Sequence, residues 1–208
     1  MNATQDYIEK KIAVCQNEWF KEHTASFILE TIPPTEATIL NWQKPGTWNY
    51  GMRFIIHRRW LVVLGDLGEA VYGWGQDITP DFLAQLNFDY FHSKCEASEN
   101  GRKFESFDGQ TGYRLAQEWL ADPENQPGHP GKNLRKHIRA LTASCGKEEV
   151  DFAAREIYDA TGDAELASMI IDWFKVPSFR CIAHFVGLQM ALKQLSLNAN
   201  PSSQTEPA

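Results

Sequence analysis

The sequence predicts an α+β protein: a small antiparallel sheet with flanking helices, then a helical C-terminal half. Three observations predict it. The chain opens on a helical apolar period. Four short runs rich in Ile, Val, Trp and Tyr follow, joined by links too tight for parallel crossovers. From Thr79 the helical period returns and persists to Leu195.

The N-terminal segment reads as one long helix. Thr4 is placed to cap it, and Ile8, Ile12, Cys15 and Trp19 fall within about 60° of one another on a helical wheel. The helix is expected to end before Pro33-Pro34, because proline cannot continue one. Thr38–Trp42, Met52–His57, Trp60–Leu64 and Ala70–Trp74 then read as strands of a meander. Their links carry Pro45-Gly46, Arg58-Arg59 and Gly65-Asp66-Leu67-Gly68. Arg58-Arg59 falls at a hairpin tip without the usual Asn-Gly or Asp-Gly chemistry.

Thr79-Pro80 is an N-cap followed by proline at the first helical position. A short helix is expected over Phe88–Cys95, and Asp108 can cap another that runs through Leu120. Asp122–Gly131 holds Pro123, Pro127 and Pro130 and reads as a surface loop, the expected subdomain boundary. Past it, Leu134, Ile138, Leu141 and Cys145 share one helical face, as do Val150, Ala153, Ala154 and Ile157, with Gly162 a C-cap. Another helix is expected over Ala164–Lys175. The last, Phe179–Leu195, is apolar nearly all round, so it is either central to a core or part of an interface such as a homodimer. The expected parts are therefore 1–121, 132–196 packed on it, and a polar, disordered tail at 197–208.

With 208 residues, the chain can bury a core without disulfides or metal. The 43% of hydrophobic residues are dispersed, and the longest apolar runs fall far short of the ~20 residues of a membrane span. Met1–Lys10 lacks the basic-then-apolar pattern of an export signal, which leads to the expectation of a cytoplasmic protein without membrane contact. The whole net charge of −7 lies in residues 1–131, while residues 132–208 balance. Such a chain does not coat nucleic acid with its whole surface; its acidic part is either a solubility charge or a face for a basic partner.

Three stretches are candidates for function. In Gly65–Trp74 a functional reading makes Asp66 a carboxylate at a strand end, with Tyr72 and Trp74 a binding platform and Glu69 part of the acidic contact surface; simple hairpin chemistry is the structural alternative. The stretch has neither a Gly-Lys-Ser/Thr ending nor Gly-x-Gly-x-x-Gly spacing, so no nucleotide cofactor is expected. Lys132, Arg135, Lys136 and Arg139 lie opposite an apolar helical stripe, where they could hold nucleic-acid phosphates or form a plain solvated face. His92-x-x-Cys95 and Cys181-x-x-His184 each put two potential ligands on one helical face. Structural zinc ligands usually sit in turns, and none of Cys15, Cys95, Cys145 and Cys181 forms a Cys-x-x-Cys pair, so no metal is expected. Lys94 beside Cys95 could lower a thiol pKa, but a packing cysteine is the expected role.

Residues 36–120 resemble uncharacterised bacteriophage and prophage proteins. The resemblance rests on Asn41-Trp42-Gln43-Lys44-Pro45-Gly46-Thr47-Trp48-Asn49-Tyr50, Gly65-Asp66-Leu67-Gly68-Glu69-Ala70-Val71-Tyr72 and Tyr90-Phe91-His92-Ser93-Lys94-Cys95-Glu96-Ala97-Ser98. It implies a phage-derived accessory protein of the bacterial host cytoplasm and brings no catalytic residues with it. Small phage accessory proteins often disable host defences, so the expected function is an anti-CRISPR-like inhibitor that binds a defence protein or CRISPR effector complex. The alternatives are a nucleic-acid-binding accessory protein using Lys132–Arg139, and a cysteine- or metal-dependent enzyme.

Overall fold

The structure, a computed structural model, describes residues 3–32, 35–99, 104–122 and 146–199. Its class is α+β with a helical C-terminal half, as expected. The chain forms two compact units, both discontinuous: Lys10–Phe104 with Ser178–Ala208, and Met1–Glu9 with Glu105–Pro177. The divisions do not fall at the boundary expected at 122–131, of which residues 123–131 lie outside the described residues. Among the described residues no helix is long and apolar enough to cross a membrane.

The first unit holds a six-stranded antiparallel meander in strict sequence order. Its strands are β1 (Thr24–Ile32), β2 (Thr35–Gln43), β3 (Met52–His57), β4 (Trp60–Gly65), β5 (Ala70–Gly73) and β6 (Cys95–Ser98). The four strands expected from the sequence are β2 to β5. The long N-terminal helix is a correction: α1 (Ala3–Val14) passes into a π-helical turn at Cys15–Trp19 and stops, and β1 follows where helix was expected. Thr24, Phe27, Ile28 and Thr31 favour strand, and pairing of all nine β1 residues with β2 outweighs the helical pattern. The expected helix over Phe88–Cys95 is likewise shorter. Here α3 (Phe88–Ser93) ends before Cys95, which opens β6 and extends the sheet.

Period-two alternation gives the sheet its buried face. Leu40 and Trp42, then Met52, Phe54 and Ile56, then Leu61 and Val63, then Ala70 and Tyr72 are all buried. On the opposite face the paired row Ile39, Ile55, Val62 and Val71 is only half-buried. The terminal helix, α7 (Phe179–Ala199), lies over the buried face. Gly187 permits the approach: a side chain there would run into Met52 Cε and come within 3.2 Å of Trp42 Cδ1. Cys181, Ile182, Ala183, Val186, Leu188, Ala191 and Leu192 are buried in this unit, so the all-round apolar helix is central to a core. The short α2 (Pro80–Ala84), capped by Thr79 Oγ1 accepting from Phe82 N–H, packs on it, and Leu83 O accepts from Gln189 Nε2.

The second unit contains β7 (Glu105–Phe107) paired with β8 (Lys175–Pro177), and the helices α4 (Gly109–Ala121), α5 (Lys147–Thr161) and α6 (Ala164–Phe174). The strand β8 lies where only helix was expected. Asp108 caps α4 at Thr111 N–H, and Gly162 ends α5 in the left-handed region, φ 70°. The core is Ala116, Leu120, Val150, Ala153, Ile157, Ile170 and Phe174. The stripe Leu134/Ile138/Leu141/Cys145 lies outside the described residues, as does the tail beyond Ala199.

Candidate functional site

The β2–β3 loop and the β4–β5 turn, which carry two of the stretches that stand out in the sequence, meet in space. At the register pair Met52↔Gly65 the chain leaves both strands together. Gly65 has φ 145°, and a side chain on it would run into the Gly51 carbonyl. Asp66 N–H donates to that carbonyl at 3.2 Å, and Asp66 Oδ2 accepts from Tyr50 N–H at 3.2 Å. Tyr50 is thereby held at φ 56°, a conformation non-glycine residues rarely adopt. Inside the loop, Gly51 N–H donates to Trp48 O at 2.6 Å and Asn49 N–H to Thr47 Oγ1 at 3.1 Å.

This bracing presents aromatic surface. Trp48 is 40% and Tyr50 43% exposed; Asp66, bonded to the Tyr50 backbone, is exposed too, as is Glu69 at the other end of the β4–β5 turn. Tyr50 stacks on Trp19 with ring centroids 4.5 Å apart, and Trp19 meets Phe179 edge-on at 4.2 Å. Aromatic faces next to carboxylates suit a cationic partner such as an Arg- or Lys-bearing protein surface. Trp48 and Tyr50 escaped the sequence reading as site residues; their signal was membership of the Asn41–Tyr50 motif.

Tyr72 and Trp74 are a correction: both are buried, so they form no exposed platform. On the short β5 strand Tyr72 shares the inward face with Ala70, and Trp74 meets Phe82 edge-on at 6.2 Å. Lys132, Arg135, Lys136 and Arg139 lie outside the described residues.

Tyr72 instead anchors a buried polar chain. Its hydroxyl lies 3.2 Å from His184 Nδ1 and 3.8 Å from Cys181 Sγ, and His184 Nε2 lies 3.1 Å from Leu67 O. A carbonyl can only accept, so Nε2 carries the proton and Nδ1 receives the Tyr72 O–H. The Tyr72 oxygen then accepts from the Cys181 thiol. Every group in the chain is neutral. Burial pulls His184 down to about 4 and pushes Cys181 up to about 12. Burial also holds the Tyr72 phenol well above its ordinary value. Such a chain ties the Gly65–Glu69 turn to α7. An ion pair of Arg180 with Glu99 passes close to Gly68, whose φ of 88° favours glycine.

The other two cysteines among the described residues are also packed away, while Cys145 lies outside them. Cys15 is buried, and burial raises its thiol to about 12 despite nearby Lys11. Cys95 is buried with Sγ 3.7 Å from Ala97 O, and Lys94 Nζ lies 4.7 Å over the Tyr90 ring. The expected shared helical face of His92 and Cys95 is not formed, because Cys95 is in β6. Among the described residues, no three His, Cys, Asp or Glu side chains group so as to hold a metal ion. Compared with protein families, curated proteins and solved structures, the chain matches none.

Proposed function

We propose that this protein is a phage-derived inhibitor of a bacterial defence system, anti-CRISPR-like, that acts by binding a protein or nucleoprotein effector rather than by catalysis. One observation carries the binding part of the reading: exposed Trp48 and Tyr50 stand on a loop cross-braced to exposed Asp66. A left-handed tyrosine is costly to hold, and such strain concentrates where geometry serves recognition. Rigid aromatics lose little entropy on binding, and the carboxylates of the β4–β5 turn, Asp66 braced to the aromatic loop and Glu69 exposed at the other end of the same turn, complement a basic groove of the kind that holds nucleic acid. Among the described cysteines, burial supports binding over thiol chemistry: it raises Cys15 and Cys181 to about 12, and Cys95 is buried with Sγ 3.7 Å from Ala97 O. The phage origin and the defence target rest on the resemblance of residues 36–120.

The test uses the full chain and a purified CRISPR effector complex from a host bacterium. Wild type is expected to co-purify with the complex stoichiometrically and without turnover. Combining Trp48→Ala, Asp66→Lys and Glu69→Lys is expected to weaken capture more than tenfold while circular dichroism stays unchanged. Absence of wild-type capture, or equal capture by the folded triple variant, overturns the reading.

A further inference from the structure

The strand β1 forms one end of the six-stranded sheet. Ala25 N–H donates to Gln194 Oε1 at 2.6 Å and so points away from β2. By the alternation of an antiparallel pair, the backbone groups of Phe27, Leu29 and Thr31 share that outward direction. Among the described residues no strand pairs with them. At nine residues β1 is long for an edge, and Thr24–Ile32 has neither the lysine nor the proline that usually blunts one.

Beside this edge runs a groove of about 970 Å³ between β1, the turn after α1 and the last turns of α7. Phe20, Phe27, Trp42, Leu192 and Leu195 give it apolar walls. Phe27 is 46% exposed there. Lys21 and Lys193, both exposed, stand on its rim against the single carboxylate Asp81.

We propose that β1 is a docking edge: an extended segment of a partner protein, with an apolar anchor flanked by acidic residues, adds to it as a further strand and seats the anchor in the groove. Main-chain hydrogen bonds to Phe27, Leu29 and Thr31 supply affinity, and the groove and its lysines select the sequence. A second copy of β1 is a poorer complement, because Glu30 is its only carboxylate. This surface has chemistry opposite to that around Trp48 and Asp66, and neither depends on the other.

The probe is a capped, fluorescein-labelled peptide of alternating valine and glutamate, titrated with the full chain and read by anisotropy. Saturable binding is expected. It should weaken about tenfold or more when the glutamates are replaced by lysine, and equally in the variant carrying Lys21→Glu and Lys193→Glu. Methylating alternate peptide nitrogens, which leaves the protein untouched, should abolish it. Phe27→Pro should do the same, because the lost N–H faces away from β2. Trp48→Ala and Asp66→Lys should leave peptide binding unchanged, so the two surfaces fail or succeed separately. Three results overturn the proposal: no saturation up to about 1 mM peptide, binding indifferent to N-methylation, or a wild-type dimer in sedimentation that Phe27→Pro makes monomeric.

Discussion

Asp66 holds Tyr50 in a left-handed backbone conformation: its Oδ2 accepts the Tyr50 N–H at 3.2 Å, and Tyr50 stays at φ 56°. An exposed carboxylate in a turn thus fixes the geometry of an aromatic sixteen positions earlier. Asp66→Ala is expected to cost about 0.5–1.5 kcal/mol, the net worth of one hydrogen bond, and Asp66→Asn less, since its oxygen still accepts. Urea denaturation measures both. A loss near zero for Asp66→Ala would mean that the loop holds Tyr50 without this contact.

Arg58 is the second non-glycine residue at positive φ, 51°, at the two-residue tip joining β3 to β4. Its carbonyl accepts from Ile78 N–H at 2.8 Å, a bond that any residue type can keep. Arg58→Gly is therefore expected to stabilise the fold by roughly 0.5–1 kcal/mol, because glycine adopts this conformation without strain. A higher urea midpoint with an unchanged m-value is the expected readout.

The strands β2 to β5 were legible because alternation and tight links leave them only one reading. Met52–His57 is the clearest, with every second residue buried. By contrast, β1 was hidden, since Thr24–Ile32 follows a helix with no intervening Gly or Pro and its apolar run suits helix or strand. Nothing local marks Cys95 as the start of a strand either; β6 exists because β5 offers it an edge. At the site, Asp66 was legible as a carboxylate at a strand end and Glu69 as part of the acidic surface, and both are exposed. The inward side of Tyr72 was implicit in its two-residue spacing from Ala70, but the strained backbone of Tyr50 has no sequence signal, because tyrosine does not favour left-handed conformations.

Gly187 tests how closely α7 lies on the sheet. A methyl group there would collide with Met52 Cε and crowd the Trp42 indole. Gly187→Ala is expected to destabilise by about 1–3 kcal/mol through overpacking, although alanine favours helix. Met52→Val shortens the offending side chain, so the double variant should lose less than the sum of the single losses. Strict additivity in a double-mutant cycle would place the helix farther from β3 than described.

The buried chain through Tyr72 makes stability depend on pH in a defined window. His184 is neutral in the fold because burial pulls it down to about 4, while in the unfolded chain it titrates near its ordinary 6.5. Between these values the unfolded state binds a proton that the folded state does not, so falling pH favours unfolding. The stabilisation is therefore complete above about 6.5, declines as pH falls, and is exhausted near 4, a loss of roughly 3 kcal/mol. Burial lowers His23 as well, which acts in the same direction. Around His184, Tyr72 and Cys181 stay neutral throughout this window, since both are pushed upward, and Arg180 stays charged and opposes protonation. Denaturation at a series of pH values should show this slope, and the His184 ring resonances should not titrate between 7 and 5. Tyr72→Phe removes the donor to Nδ1 and is expected to cost about 1–3 kcal/mol at pH 7, with a smaller further loss on acidification, because the freed Nδ1 is less costly to protonate. A His184 that titrates near 6.5, or a wild-type stability flat across the window, would show the imidazole to be open to water rather than sealed between Leu67 and Tyr72.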